Sequence, residues 1–281
     1  MQASSSTRKT IMITGASSGI GAAAVRLFAA QGWQVVATMR DVAAGAGLAA
    51  LDRVHVARLD VQDGASIDAA LAAGIDRFGA IDALVNNAGY GEFGLFEAAS
   101  PAAVQRQFDV NVFGVMNTIR AILPHFRARH GGAIVNVSSG AGMFALPLIS
   151  LYSASKFALE GYTEGLSYEL ASQNIGVKLV IPHGGVTSTR FSEKSFASFE
   201  RSAALADYDA FIDRTTAQYG QMVAASNISA DDVAAMIHTA LTDGSTRLRY
   251  LIGDDARGFV KARRTLSEDA YMDFMRARFA R

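Results

Sequence analysis

The sequence TGASSGIG, residues 14–21, lies between the apolar run Thr10–Thr14 and a helical pattern that continues to Ala30. Glycines at a strand-to-helix turn let the backbone approach a phosphate closely. The helix that follows offers unpaired N–H groups and the positive end of its dipole. The stretch therefore predicts a phosphate-binding loop near the start of an α/β fold, although glycines also mark ordinary turns.

Short apolar runs alternate with helical stretches along the rest of the chain. The runs are apolar nearly throughout, as in strands that are covered on both faces. Seven strands are predicted, at Thr10–Thr14, Gln34–Met39, Val54–Arg58, Ala83–Val85, Ala133–Ser138, Val177–Ile181 and Leu248–Ile252. Helix starts are indicated by Asp63, by Ser100 before Pro101, and by the Ser229/Asp232 pair. The pattern predicts a doubly wound parallel sheet with helices on both faces.

Composition excludes several classes of protein. The chain has 281 residues, of which 50% are hydrophobic and 19% charged, so we expect a folded globular protein, with residues 1–281 forming a single domain. The net charge is zero, which argues against a nucleic-acid partner. The absence of cysteine excludes disulfides, thiolate metal sites and cysteine nucleophiles, and the histidine spacing suggests no metal site. With no apolar run of membrane-spanning length and a polar start, we expect a cytoplasmic protein without a membrane partner.

Three further motifs follow the glycine loop in order. Asn86-Asn87-Ala88-Gly89 comes after the fourth strand, Tyr152 and Lys156 form a Y-x-x-x-K motif, and Ser139 lies 13 residues before Tyr152. Together they resemble the short-chain dehydrogenases/reductases, in the short single-domain branch, from Thr14 to about Thr187. The resemblance implies a Rossmann-type sheet in the order 3-2-1-4-5-6-7. It also implies NAD(P)-dependent interconversion of a secondary alcohol and a ketone. A homodimer or homotetramer with the Tyr152 helix in its interface is expected as well.

Tyr152 and Lys156 are spaced to share one face of a helix, one turn apart. A free tyrosine has a pKa of about 10, and a nearby ammonium favours the phenolate, so the pair can act as a general acid/base near neutral pH. Ser139, at the carboxyl end of the fifth strand, could hold the substrate oxygen, with Ser138 as the neighbouring alternative. The resemblance adds that Lys156 contacts the nicotinamide ribose and that Asn111 relays protons through water to Lys156.

The end of the second strand bears on the choice of cofactor. An acidic residue there would bind the ribose 2′-hydroxyl and repel a 2′-phosphate, whereas arginine can pair with the phosphate. Met39 stands in this position and is followed by Arg40, so we expect NADP(H) rather than NAD(H), with Arg40 binding the 2′-phosphate and Ser17 assisting. The alternative is that Arg40 pairs with Asp41 or with solvent.

The resemblance extends the cofactor site to other segments. It assigns cofactor contacts to Gly15, Ser17, Ser18, Gly19, Ile20, Gly21, Arg40, Asp60, Val61, Asn87, Ala88, Gly89, Tyr152, Lys156, Pro182, Gly185 and Thr187. Asp60 could instead be a turn residue. After the sixth strand, His183 stands where the family usually has glycine; Thr187 is our choice for the carboxamide contact and Thr189 is the alternative.

An insertion at about residues 188–229 is rich in aromatic residues, namely Phe191, Phe196, Phe199, Tyr208, Phe211 and Tyr219. This composition predicts either a substrate lid, which would favour a bulky apolar alcohol or ketone, or an extra helix whose aromatic side chains pack in the core. A helical tail is expected at about 254–281. Two other functions remain open: a dinucleotide sensor without catalysis, and a reductase of carrier-bound acyl groups.

Overall fold

Seven parallel strands form one sheet in the computed structural model, which describes residues 8–187, 189, 191, 195, 199, 201–225, 227–253 and 258–279. The strands are β1 (Thr10–Ile13), β2 (Gln34–Met39), β3 (Val54–Arg58), β4 (Ala83–Asn86), β5 (Gly132–Val137), β6 (Ile175–Pro182) and β7 (Arg249–Ile252). Their spatial order is β3-β2-β1-β4-β5-β6-β7. Every predicted strand is present, and the predicted doubly wound fold and strand order are confirmed.

The helices of the described residues connect these strands and cover both faces of the sheet. They are α1 (Gly19–Ala30), α2 (Ala46–Ala49), α3 (Gly64–Phe78), α4 (Pro101–Phe108), α5 (Gly114–Ala128), α6 (Ser150–Ala171), α7 (Asp209–Ala224), α8 (Ala230–Thr242), α9 (Phe259–Thr265) and α10 (Glu268–Phe279). One apolar core contains Phe28 of α1 and Ile237 of α8, and a second contains Ile119 of α5 and Leu159 of α6. The strands are therefore buried on both sides, which explains their continuous apolar sequence.

The predicted helix starts are present with their side-chain caps. The Asp63 carboxylate accepts a hydrogen bond from the Ser66 amide at the start of α3. The Ser100 hydroxyl accepts one from the Ala103 amide at the start of α4. Ser229 and Asp232 form a reciprocal capping box at the start of α8. Each cap satisfies helix N–H groups that would otherwise lack a partner.

A five-residue π-helical turn, Asp109–Phe113, separates α4 from α5. The sequence did not predict this turn. It brings Asn111 into the interior, where the residue is 1% exposed. Such turns interrupt the regular helical hydrogen-bond ladder and often occur at functional sites.

The strand order reverses at β1, which pairs with β2 on one side and with β4 on the other. Connections leave the carboxyl ends of these strands in opposite directions, so a crevice opens between them. Within the described residues, no helix is long and apolar enough to cross a membrane, and no group of His, Cys, Asp and Glu side chains could hold a metal ion.

Candidate active site

A cavity of about 650 Å³ opens at the carboxyl edge of the sheet. Its walls come from the segments that follow β1, β2, β3, β4, β5 and β6, together with α6 and the insertion. Most of the predicted site residues line it, namely Gly15, Ser17, Ser18, Gly19, Ile20, Arg40, Asp60, Val61, Asn87, Ala88, Gly89, Ser139, Tyr152, Lys156, Pro182 and Gly185. Three of the predicted site residues do not line the cavity, namely Gly21, Asn111 and Thr187.

The glycine loop fits a nucleotide phosphate. Ser18 is the N-cap residue of α1 but makes no side-chain cap hydrogen bond, so the first N–H groups of the helix are left for a ligand. Gly15 and Gly19 have positive φ angles of 66° and 54° and line the cavity with bare backbone. Gly21 does not line the cavity but leaves room for the Gly15 carbonyl, because a Cβ at position 21 would collide with it.

The Asn-Asn-Ala-Gly motif braces this loop. The Asn87 side-chain amide donates to the carbonyls of Thr14 and Gly15, at 3.0 and 3.1 Å. In return, the Thr14 hydroxyl accepts hydrogen bonds from the amides of Asn87 and Ala88, both at 3.0 Å. The loop after β4 and the loop after β1 are thus held together at the crevice.

Arg40 follows the end of β2, is exposed and lines the cavity, as Ser17 does. Asp41 forms no ion pair with it among the described residues, and the Asp41 carboxylate accepts a hydrogen bond from the Ala43 amide at 3.0 Å. Arg40 has no ion-pair partner in the part of the chain that the structure describes. The guanidinium therefore remains available to an anion in the cavity.

Asp60 combines both interpretations considered for it. It lines the cavity, and its carboxylate also accepts a hydrogen bond from the Gln62 amide at 3.1 Å, as in a turn. Val61 beside it is 7% exposed and contributes an apolar wall.

Ser139, Tyr152 and Lys156 meet at the inner end of the cavity. Tyr152 and Lys156 lie one turn apart on α6, with the Lys156 ammonium nitrogen 5.8 Å from the centre of the tyrosine ring. The Lys156 Nζ donates to the carbonyl of Val137, at the end of β5, at 2.9 Å. Ser139 follows that strand, and its Oγ accepts a hydrogen bond from the Ala141 amide at 3.2 Å.

Burial dominates the acid–base properties of this trio. It raises the pKa of Tyr152 to about 12, while a hydrogen bond with Ser139 opposes the rise. Burial also lowers the pKa of Lys156 to about 8, against the opposing charge of Glu160. The sequence predicted that Lys156 would lower the pKa of Tyr152, and here the direction is the reverse. The reason is that burial removes solvation from the phenolate, which outweighs the hydrogen bond with Ser139.

Asn111 supports the site indirectly. Its amide donates to the Tyr90 carbonyl at 2.8 Å and to Ser155 Oγ at 3.2 Å, and its Oδ1 accepts from the Tyr90 amide at 3.1 Å. These bonds tie the π turn to the loop after β4 and to α6. The side chain makes them instead of contacting Lys156, so the proton relay suggested for Asn111 stays a prediction.

The segment after β6 bears on the choice between the two threonines considered for the cofactor contact. Thr187 is exposed, and its hydroxyl donates to the Ile228 carbonyl at 2.9 Å. Thr189 lines the cavity and faces the glycine loop, since a Cβ on Gly19 would lie 3.3 Å from Thr189 Cγ2. The geometry therefore favours Thr189, the alternative, over Thr187. His183 is 6% exposed and also lines the cavity.

The remaining wall of the cavity is apolar. The rings of Phe93 and Phe191 pack on Tyr152, with centroids 5.7 and 5.5 Å away. Further apolar lining is provided by Phe144, Leu146, Ile149, Tyr219, Met222 and Val223. The insertion thus contributes Phe191 and Tyr219 to the cavity wall, and both residues also pack against a buried apolar cluster. Its Tyr208 is not part of the wall and donates instead to the Glu97 carboxylate. Phe196 and Ser188 lie outside the described residues.

A sequence profile described as short chain dehydrogenase matches residues 9–198. The chain belongs to the short-chain dehydrogenase/reductase family. An uncharacterized oxidoreductase of Schizosaccharomyces pombe is 36% identical over 221 residues, which cover 77% of this chain and 89% of that protein. Retinol dehydrogenase 8 of Homo sapiens is 41% identical over 198 residues, covering 67% of this chain and 62% of that protein.

Solved structures give the same family. A short-chain dehydrogenase from Streptomyces avermitilis matches with a TM-score of 0.78 and 34% identity, covering 96% of this chain and 94% of that one. A short-chain dehydrogenase/reductase from Burkholderia phymatum, in complex with NAD, matches with a TM-score of 0.78 and 28% identity, covering 95% of each chain. The protein is therefore an oxidoreductase that acts on CH–OH groups, and the comparisons support a nicotinamide dinucleotide as its cofactor.

Sequence reasoning missed several residues of this dehydrogenase site. Gln107 is fully buried and donates to the Tyr90 carbonyl at 3.0 Å, so it supports the same loop as Asn111. Phe259 of α9 packs on Phe144 with ring centroids 5.2 Å apart, which places the C-terminal tail directly behind the apolar wall. The spacing of Gln107, one turn before Asn111, was a usable signal. No sequence signal indicated the contact between Phe259 and Phe144, because it depends on tertiary packing.

Proposed function

We propose that this dehydrogenase uses NADP(H) to interconvert a secondary alcohol and a ketone with a bulky apolar body. One observation carries the proposal: Ser139, Tyr152 and Lys156 meet in a cavity that runs from the glycine loop to an apolar wall. The glycine loop and its free helix N–H groups fit a dinucleotide, and Lys156 and Thr189 lie where they could contact its nicotinamide half. When bound, the cofactor supplies or accepts a hydride.

The side chains divide the remaining chemistry between them. In ketone reduction, the Tyr152 hydroxyl donates its proton to the carbonyl oxygen as negative charge develops there; in alcohol oxidation, it takes the proton back. The Ser139 hydroxyl donates a hydrogen bond to the same oxygen and orients it beside Tyr152. Lys156, as an ammonium, lowers the free energy of the phenolate that Tyr152 becomes. Burial strengthens each of these interactions because water is excluded.

The apolar wall supports the proposed substrate class. Phe93 and Phe191 flank Tyr152, so a group attached to the reacting carbon would contact aromatic faces. Burying apolar surface is favourable by about 25 cal/mol per Å², so a large apolar substrate gains most from such a wall. Retinol dehydrogenase 8, a relative named above, is named for a large apolar alcohol.

Arg40 supports the choice of NADP(H). It follows Met39, which stands where an acidic residue would exclude a 2′-phosphate, and Asp41 accepts a hydrogen bond from the Ala43 amide. We expect Arg40→Met to raise the KM for NADPH about 10- to 100-fold, since a hydrogen bond to a charged group contributes roughly 1.5–3 kcal/mol. The KM for NADH should stay nearly unchanged. A native enzyme that binds NADH as tightly as NADPH would contradict the assignment.

The function is tested by assaying a panel of small and bulky ketones with NADPH. Tyr152→Phe should lower kcat by about 10²- to 10⁴-fold, which is the usual contribution of a general acid. Tyr168→Phe is the matched control, because Tyr168 lies on the same helix, is 71% exposed and should leave kcat unchanged. Full activity of Tyr152→Phe would refute the acid/base assignment. Cofactor binding without turnover of any substrate would favour a dinucleotide sensor.

We also propose that α6 forms the interface of a homodimer or homotetramer. Gly161 and Gly165 of this helix have open space around them, and Phe157 and Tyr168 are exposed. Small residues allow close helix approach, and exposed aromatic side chains gain by burial. Light scattering coupled to size exclusion should give a mass of at least two chains, and Gly165→Glu should reduce it. A monomer at micromolar concentration would contradict the proposal.

A further inference from the structure

A second charged group lies one helical turn beyond Lys156. Glu160 of α6 has a side chain that is only 8% exposed. Its Oε2 accepts a hydrogen bond from Arg249 Nε of β7 at 2.9 Å. Its Oε1 is buried and has no hydrogen-bond partner among the described residues. Burying a carboxylate is costly unless the charge is paired and fully hydrogen-bonded, so this position calls for an explanation.

The Glu160 side chain lies beneath the turn that carries Ser139. A Cβ on Gly142 would lie 3.0 Å from Glu160 Cγ, 3.0 Å from the Lys156 carbonyl oxygen and 3.1 Å from Ser138 Oγ. The glycine leaves the room that this packing requires. Glu160 therefore reaches the floor of the active site, next to the lysine and not in contact with the substrate space.

We propose that Glu160 is a positioning residue of the reaction: its carboxylate, fixed by Arg249, keeps the buried Lys156 side chain in the ammonium form beside Tyr152. The inference rests on the proposed function, because only a site in which Lys156 acts as a cation needs such a partner. Residues four apart on a helix face one another, with their Cβ atoms about 6 Å apart.

The charges around Lys156 are consistent with this task. Burial lowers its pKa to about 8, and the negative charge of Glu160 opposes that fall. Tyr152 faces it from the same helix, His183 lines the cavity from the end of β6, and β5 offers the neutral Val137 carbonyl. The positive charge of Arg249 is shared with a second carboxylate, since its Nη2 donates to Glu164 Oε2 at 2.6 Å. Glu160 thus remains a net negative neighbour of Lys156.

The test is the pH profile of kcat for ketone reduction. Glu160→Gln keeps the size of the side chain and removes its charge, so the alkaline limb should move down by about one pH unit. Arg249→Gln removes a positive charge and should move the same limb up by a smaller amount, because Arg249 lies farther from Lys156. A purely structural role would lower stability in both variants without opposite shifts of the profile.

Glu169→Gln is the matched control. Glu169 lies on the same helix, is exposed and stands more than two turns beyond Glu160, so its profile should match the native one. A Glu160→Gln profile that superimposes on the native profile would overturn the inference while leaving the proposed function intact. If Glu160→Gln fails to fold, the upward shift of the pH profile expected for Arg249→Gln tests the inference instead. The absence of that shift would refute the inference.

A second readout separates this inference from the proposed function. The rate at which acetic anhydride modifies Lys156, followed by peptide mass spectrometry across pH, reports the ionisation of the lysine without turnover. Its midpoint should fall by about one unit in Glu160→Gln. If the native protein reduces no ketone but the midpoint still falls, the proposed function fails and the Glu160–Lys156 coupling stands. An unchanged midpoint would refute the coupling.

Discussion

Replacing Lys156 with methionine should stabilise this dehydrogenase at neutral pH, even though it removes a residue of the proposed catalytic trio. Lys156 is 7% exposed, and burial lowers its pKa from 10.5 to about 8. Each pKa unit corresponds to about 1.4 kcal/mol. A charged Lys156 at pH 7 therefore costs the folded state about 3 kcal/mol relative to the unfolded chain.

The pH dependence of this cost has a definite sign. Below pH 8 the lysine is protonated in both states, so the whole cost is present. Between pH 8 and 10.5 the folded protein has released the proton while the unfolded chain still holds it, so stability rises with pH. Above 10.5 both states are neutral and the cost has disappeared. The advantage of Lys156→Met over the native protein should therefore shrink by about 3 kcal/mol between pH 7 and 10.5.

Urea unfolding of both proteins at pH 7, 8, 9 and 10 measures this difference. Other titrating groups, including the partly buried Lys178, occur in both proteins and largely cancel. Lys9→Met, which replaces an exposed lysine, serves as the control and should show a difference that is constant with pH. A constant difference for Lys156→Met as well would refute the argument that a buried ammonium limits the stability of the fold.

Three further substitutions test separate parts of the site. Thr189→Val should raise the KM for NADPH several-fold. Thr187→Val should leave that KM unchanged and lower the free energy of unfolding by about 1 kcal/mol, because the hydrogen bond to Ile228 is lost. The reverse pattern would identify Thr187 as the cofactor contact. Phe191→Ala should raise the KM for bulky apolar ketones about 10-fold, with little change for a small ketone, and an equal change for both would place Phe191 outside the substrate wall. Ser229→Ala should lower the free energy of unfolding by about 1 kcal/mol in a urea titration, with kcat unchanged, and a change in kcat instead would show that the α8 cap reaches the active site.

The fold was predictable because it depends on regular local patterns. Strands buried on both faces require continuous apolar runs, and helix starts require caps such as Ser100 and Asp63. Boundaries moved by one or two residues, as for β6, which begins at Ile175 and not at Val177. Motifs with fixed spacing placed Tyr152, Lys156 and Ser139 in one cavity, since the carboxyl ends of parallel strands share an edge.

Features that depend on tertiary surroundings were not predictable in the same way. The direction of the pKa shift of Tyr152 follows from burial, which the one-turn spacing of Tyr152 and Lys156 does not reveal. The choice of Thr187 over Thr189 relied on a motif register that His183 had already made ambiguous. The buried Glu160 looked like an ordinary charged residue on a helix, because its partner Arg249 is 89 residues away.

A buried line of polar side chains explains why the glycine loop and the Tyr152 helix keep a fixed relation. Asn87 binds the loop, and its neighbour Asn86 donates to Asn136 Oδ1 across β4 and β5 at 2.9 Å. Asn136 in turn donates to Thr163 of α6 at 2.9 Å. Amides buried between apolar strands are tolerated only when their hydrogen bonds are made, so a shift of either element would leave polar groups unpaired. The apolar layers give the sheet its stability, and this line fixes the position of the glycine loop after β1 relative to the proposed acid/base residues on α6.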